Sequence, residues 1–171
     1  MTDVIPIDDG LTRCWWAADE RPDPLMRAYH DDEWGRPVRG DAELFERLSL
    51  EAFQAGLSWR TILVKREAFR RAFRGFEPAV VAAFGDDDRE RLLGDASIVR
   101  NRAKIDATIA NAVATLRLAG EHGSFAAYLD RLVPPPPRRL GPDAAPGDVP
   151  ATTPASDRVS RELAGQGFRF V

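Results

Sequence analysis

Cysteine occurs once in these 171 residues, as Cys14, so no disulfide can close within the chain and a reducing cytoplasm is the expected setting. Long apolar runs are missing as well: none approaches the roughly 18 residues that a membrane-spanning helix needs, so membrane insertion is not expected. The first ten residues carry Asp3, Asp8 and Asp9 and lack a basic stretch followed by an apolar one, which argues against a secretory signal. Histidine is limited to His30 and His122, too few with one cysteine to assemble a four-ligand Cys/His metal site. Excess positive charge is absent too. A net charge of -3 and a pI near 5.5 argue against a protein that coats nucleic acid through a broad basic surface. No segment alternates apolar and polar residues long enough to suggest a sheet, and no internal repeat is visible.

What is present reads as a soluble, all-α protein. Hydrophobic residues make up 44% of the chain and charged residues 30%. The length fits one domain over 1–171, able to bury roughly two thirds of the surface its unfolded form exposes. Residues 1–12 read as flexible and 134–154, with eight of the thirteen prolines, as an extended loop. Helical signals dominate from Asp41 to Val133. Asp41 is placed to cap a helix through Leu44, Leu48, Ala52 and Ala55, with Gly56 as its stop. Ser58 caps a second helix through Ile62, Leu63, Arg66, Phe69 and Phe73. Glu77-Pro78 opens a short third, and Asp87 with Glu90 has capping-box spacing for a fourth. After the turn from Gly94 to Val99 comes a long helix whose Ile105, Ile109, Ala112, Val113 and Leu116 form one stripe ending before Gly120, making a helical hairpin. Ser124 caps a further helix to Val133, and a last one begins at Ser156-Asp157.

One carboxylate stands out. At 100° per residue from Leu44, Leu48 lies at 40°, Ala55 at 20° and Glu51 at -20°, inside the apolar stripe. A carboxylate buried there without compensation costs several kcal/mol, so Glu51 is protonated, paired with one of the many arginines, or facing a cavity that takes a cationic or amino-bearing ligand. Trp15, Trp16, Tyr29, Trp34 and Trp59 all precede or flank it. Each alone is ordinary core material. Together with a carboxylate, they would suit a protonated or alkylated purine, because aromatic faces attract cations and the carboxylate accepts amino hydrogens. Charge is locally uneven as well: Arg60, Lys65, Arg66, Arg70, Arg71 and Arg74 oppose only Glu67, and Arg100, Arg102 and Lys104 form a second acid-free cluster. The plain reading of the first is a solvated helix face.

Five segments in matching order, from Cys14 to Val171, carry a resemblance. Cys14-Trp15-Trp16, Tyr29-His30-Asp31-Asp32-Glu33-Trp34-Gly35, Leu50-Glu51 with Gln54-Ala55-Gly56-Leu57-Ser58-Trp59, Ile98-Val99-Arg100-Asn101-Arg102-Ala103-Lys104-Ile105 and Gly167-Phe168-Arg169-Phe170-Val171 resemble the 3-methyladenine DNA glycosylase I family. The resemblance implies an all-helical helix-hairpin-helix fold and hydrolysis of the bond between deoxyribose and N3-methylated adenine, the base being flipped out of the duplex. It implies that Glu51 hydrogen-bonds the extruded base, that Tyr29 and Trp16 line the pocket, and that Trp59 stacks on the base; Trp34 is a further expected base-binding residue. Glu51 and Tyr29 are the expected catalytic residues. Arg100, Arg102 and Lys104 are the expected phosphate contacts, with the hairpin from about Gly94 to Lys104 facing DNA. Strand cleavage through a Schiff base on Lys104 is not expected.

The family also implies a structural zinc, held by Cys and His near the N-terminus, here Cys14 and His30, and by a His and Cys close to the C-terminus. The sequence ends at Val171 before such a pair, so the expectation is half a site, with the zinc absent or weakly held and no cofactor needed for chemistry. Double-stranded DNA containing alkylated adenine is the expected partner, and the protein is expected to act as a monomer. A noncatalytic nucleobase or DNA binder and a helical structural protein are the rival readings.

Overall fold

Four helix starts in this chain, at Asp23, Ser58, Asn101 and Ser124, are set by side chains that accept from the otherwise unpaired N–H groups of the first turn. The computed structural model describes residues 10, 13–18, 23–133 and 150–171. Among them there is no strand, and the chain is all-α as its sequence pattern implies. Residues 1–9, 11–12 and 134–149, which include most of the segments read as flexible terminus and proline loop, lie outside the described residues, as does the Trp15 side chain. Where length points to one domain, backbone contacts group the chain into two units: Met1–Pro37 with Pro135–Thr153, and Val38–Pro134 with Pro154–Val171.

In the smaller unit, α1 (Trp15–Ala18) is followed by α2 (Pro24–Asp32). Sequence reasoning passed over both, although Asp23-Pro24 is a start signal. The Asp23 carboxylate accepts from Leu25 N–H and proline takes the first helical position, where no N–H is needed.

The larger unit contains α3 (Asp41–Gln54), α4 (Trp59–Ala72), a 3-10 turn at Arg74–Phe76, α5 (Pro78–Ala82), α6 (Asp86–Gly94), α7 (Arg102–His122), α8 (Phe125–Leu132) and α9 (Pro154–Gly165). Ser58 and Ser124 cap α4 and α8, each accepting from the N–H three residues on, as their positions imply. Asp41 does something different. It is the first residue of α3 rather than its cap, and its two carboxylate oxygens accept from Phe125 and Ala126 N–H, tying the start of α3 to the start of α8. On α6 the cap is Gly85, whose N–H donates to Asp88, two residues ahead of the position that Asp87 and Glu90 suggest.

Two apolar clusters fill this unit. Phe45, Phe53, Phe69, Phe73 and Phe76 anchor the first, with Phe53 and Phe69 4.6 Å apart and Phe73 stacked on Phe76 at 5.2 Å. The second joins Ala114, Leu118, Phe125, Tyr128, Leu163 and Phe168. Helix α7 runs between them, giving Ile105, Ile109 and Ala112 to the first and Ala114 and Leu118 to the second. A helix buried on more than one side has no single apolar stripe. The stripe read from its sequence is therefore wrong in part: Val113 and Leu116 are exposed, while Thr108, Asn111 and Thr115 are buried. Gly120 continues the helix, and Gly123, at φ +89°, ends it.

Candidate active site

In the smaller unit the last turn of α2 folds back on itself. Glu33 and Trp34 N–H both donate to the Tyr29 carbonyl, at 3.0 and 2.8 Å, and Gly35 turns the chain at φ +72°. That return gathers the aromatic residues around Trp16, whose ring lies 6.3 Å from Tyr29, 4.9 Å from His30 and 5.5 Å from Trp34. Tyr29 is buried, whereas Trp34 is 41% exposed. His30 and Trp34 stack at 5.7 Å, so two of the aromatics marked in the sequence, Trp16 and Trp34, pack on His30, and a third, Tyr29, joins them through Trp16.

His30 itself is committed on both sides. Nδ1 lies 2.9 Å from Asp31 Oδ1, and Nε2 takes the Cys14 backbone N–H at 3.3 Å. This pattern suits the neutral ring with its proton on Nδ1. Arg13 grips Asp31 through both Nε and Nη2, the latter at 2.7 Å, and together with His30 it holds the Asp31 carboxyl below its ordinary range. Sequence reasoning missed this clamp, which no local pattern marks. The donors present do not fit a zinc. The His30 lone pair that would bind it meets an N–H, and among the described residues no three Cys, His, Asp or Glu side chains gather as a metal site requires.

In the larger unit Glu51 lies on the last turn of α3. It is exposed, flanked by buried Leu50, Ala52 and Phe53, and so stands beside the apolar face rather than inside it. The stripe had been centred on Leu44, Leu48 and Ala55. Leu44 and Leu48 are only partly buried, against the second cluster, and Ala55 lies beyond the helix end. Among the described residues nothing hydrogen-bonds or ion-pairs with the Glu51 carboxylate. Partial burial pushes its pKa above the ordinary value, and Arg47, one turn earlier, pulls it back by less.

The chain then reverses within four residues. Leu57 N–H donates to the Gln54 carbonyl at 2.6 Å, Gly56 adopts φ +83°, and Ser58 caps α4. Trp59, the first residue of α4, is partly buried against the first cluster. Glu51 and Trp59 are thus held by the two helices that meet at one tight turn.

The hairpin of α6 and α7 places Asn101 as the cap of α7, its side chain accepting from Lys104 N–H. An Asn just before a helix is a readable start signal that sequence reasoning left unused. Arg100 and Arg102 are exposed there, with no ion-pair partner among the described residues. Lys104 is not with them. It is 7% exposed, and its ammonium donates to the Phe53 carbonyl at 2.9 Å and the Ala55 carbonyl at 2.6 Å. The outward phosphate contact read from its neighbours in sequence is corrected accordingly: Lys104 faces inward, and burial lowers its pKa. The other basic cluster is partly structural, since Arg70 binds Glu46 and Glu67, and Lys65 donates to the Ser97 carbonyl.

The methyladenine glycosylase family matches residues 16–171. DNA-3-methyladenine glycosylase 1 of Escherichia coli (strain K12) is 42% identical over 161 residues, covering 94% of this chain and 84% of that protein. DNA-3-methyladenine glycosylase of Haemophilus influenzae is 35% identical over the same shares. A crystal structure of 3-methyladenine DNA glycosylase I superposes with a TM-score of 0.85 at 43% identity, covering 93% of this chain and 85% of the other. The Staphylococcus aureus enzyme, solved to show how 3-methyladenine is recognised, superposes at 0.83 and 35% identity, covering 91% and 82%. With its helical fold and nearly its whole length matched, this chain belongs to the methyladenine glycosylase family.

Proposed function

We infer that this protein is a monofunctional DNA-3-methyladenine glycosylase, which removes the alkylated base from DNA by hydrolysis as the first step of base excision repair. The observation that carries the reading is Glu51: a carboxylate on the last turn of α3, just ahead of the turn that leads to Trp59, with no hydrogen-bond or ion-pair partner among the described residues. An N3-methylated adenine in DNA bears positive charge. When its bond to the sugar carbon breaks, the electron pair stays on the base nitrogen and cancels that charge, so the leaving base needs no added proton. Water adds to the sugar carbon and gives up a proton.

The protein therefore has to extrude the base and favour its charged form. Glu51 performs the second task by electrostatic attraction and hydrogen bonding, which an uncharged adenine would gain less from. Trp59 offers a stacking face. Tyr29, Trp16 and Trp34 keep the base-recognition role that the family resemblance gives them.

Double-stranded DNA is the proposed substrate, bound by a single copy of the chain in the cytoplasm; the lone Cys14 suits that compartment. Among the described residues no helix is long and apolar enough to cross a membrane. At the hairpin, the Arg102 and Ala103 N–H groups at the start of α7, with the Arg100 and Arg102 side chains, bind phosphate. Lys104 has no part in this, and its engaged amine also supports hydrolysis rather than Schiff-base chemistry.

The test is release of free 3-methyladenine from methylated duplex DNA by the parent protein and by Glu51→Gln. The substitution is expected to slow release by about 10²-fold or more, the scale of losing one electrostatic contact aimed at the reacting group. Binding without release by the parent would turn the reading to a noncatalytic binder, and neither binding nor release would turn it to a structural protein.

A further inference from the structure

Lys104 is a charged residue inside the fold, 7% exposed, and its surroundings give it a specific task. It is the third residue of α7, so its backbone belongs to the helix start proposed to meet phosphate; its N–H is capped by Asn101 and its carbonyl accepts from Thr108 Oγ1 at 2.9 Å. Its side chain runs the other way. Nζ donates to the carbonyls of Phe53 and Ala55, which lie at and just past the end of α3. Those carbonyls have no partner further along α3, because the helix stops at Gln54 and the chain turns at Gly56. A cation at this end also meets the negative pole of the helix.

Glu51 precedes the two bonded carbonyls by two and four residues, and Trp59 follows the second by four. One amine therefore fixes the turn that holds both proposed base-recognition residues, and it reaches that turn from the helix start that carries the phosphate contacts. Without it, two carbonyls lose a charged donor inside the protein. The turn then keeps the Leu57-to-Gln54 bond and the bonds that Ser58 makes with the first turn of α4.

We propose that Lys104 is a positioning residue, which locks the Glu51-to-Trp59 turn in register with the phosphate-binding start of α7 so that base recognition and DNA binding are aligned. This rests on the proposed glycosylase reading for its consequence in catalysis, but not for its effect on the turn. Burial lowers the Lys104 pKa, which agrees with a group selected for position rather than for charge in solvent.

The test compares the parent, Lys104→Met and Lys104→Arg. In DNA-free protein, amide hydrogen exchange at residues 56–59 is expected to speed up by about tenfold in the Met variant and to be largely restored by Arg, which keeps donors at the same place. Single-turnover excision should fall by about tenfold or more with Met, whereas duplex affinity stays within about twofold. The salt dependence of binding should not change. A phosphate contact would instead lower the slope of log affinity against log salt by about 0.9.

Unchanged exchange at residues 56–59, or a reduced salt slope, overturns the proposal. Should the Met variant fail to fold, the parent still decides the matter, because Lys65 and Lys104 are its two lysines. Amine acylation of the native protein is expected to modify Lys65 and to spare Lys104, and equal labelling of both overturns the inward placement. Absence of excision in the parent would remove the glycosylase reading while leaving the exchange result to decide the turn.

Discussion

Asn111 gives the sharpest test of how this fold is held together. Its side chain, 1% exposed in the middle of α7, clasps one residue of the C-terminal segment from both sides: Nδ2 donates to the Arg169 carbonyl at 3.0 Å, and Arg169 N–H donates to Oδ1 at 2.8 Å. The segment is further seated by Phe168, stacked on Phe125 at 5.6 Å, and by Ser160, whose hydroxyl donates to the Val171 carbonyl at 2.7 Å. Substituting Asn111→Ala removes two hydrogen bonds worth about 1 kcal/mol each and strands a partly buried donor and acceptor, for a total of about 2 to 3 kcal/mol. In a chain of this length each kcal/mol moves Tm by roughly 2 to 4 °C, so Tm should fall by roughly 4 to 12 °C. Thermal unfolding followed by circular dichroism measures this, and hydrogen exchange of the Arg169 amide localises it. Asn111→Asp is a second probe. It keeps an acceptor for Arg169 N–H but opposes the Arg169 carbonyl with a carboxylate, so its carboxyl should titrate higher folded than unfolded. Its stability is then greatest below the unfolded pKa and declines as pH rises through the folded one. A Tm loss under about 2 °C for the alanine variant, with the Arg169 amide as protected as before, would show that packing of Phe168 alone seats the segment and would refute the clasp.

Two further outcomes concern the site. Burial raises the Glu51 pKa, and only the ionised form attracts a cationic base, so excision should decline as pH falls through a value above the roughly 4.3 of a free glutamate. A pH profile of kcat/KM checks this, and in Glu51→Gln that acid limb should vanish from whatever activity remains. Arg100→Ala and Arg102→Ala should each weaken duplex binding alike for methylated and unmethylated DNA. Each should lower the salt slope by about 0.9, read from titrations at several salt concentrations.

How much of this was legible in the sequence depends on the range over which each signal acts. Ser58 and Ser124 were readable because a cap bonds its own helix three residues on, and Gly56 because a positive φ is a property of one residue. Asp23-Pro24 was equally local and was simply passed over, so α1 and α2 went unassigned. Asp41 shows the limit: as a helix-start residue it was placed within one position, yet its carboxylate serves Phe125 and Ala126, more than eighty residues away. The stripe on α7 failed for a physical reason. Periodicity locates a buried face when a helix has one, and α7 is packed by two clusters. Small polar residues such as Thr108 and Asn111 then turn inward on hydrogen bonds to backbone, and Val113 and Leu116 are left outside.

The site divides along the same line. Sequence neighbourhood grouped Lys104 with Arg100 and Arg102, but a helix turns by about 100° per residue, so residues two apart face nearly opposite ways and need not share a task. Where Nζ ends depends on carbonyls about fifty residues earlier, which no spacing could supply. Glu51 was identified for a reason that the structure modifies. Its carboxylate was singled out as too costly to bury in an apolar stripe, and an arginine partner was the plainer explanation. It lies instead at the margin of that stripe, exposed yet surrounded by enough protein to raise its pKa, and among the described residues no arginine pairs with it. A surface glutamate in a chain with this many arginines could acquire a partner at little cost in fold, since exposed pairs are worth less than about 1 kcal/mol either way. One left open, and held by a turn that a buried lysine braces, is disposed to receive a cation from outside the protein.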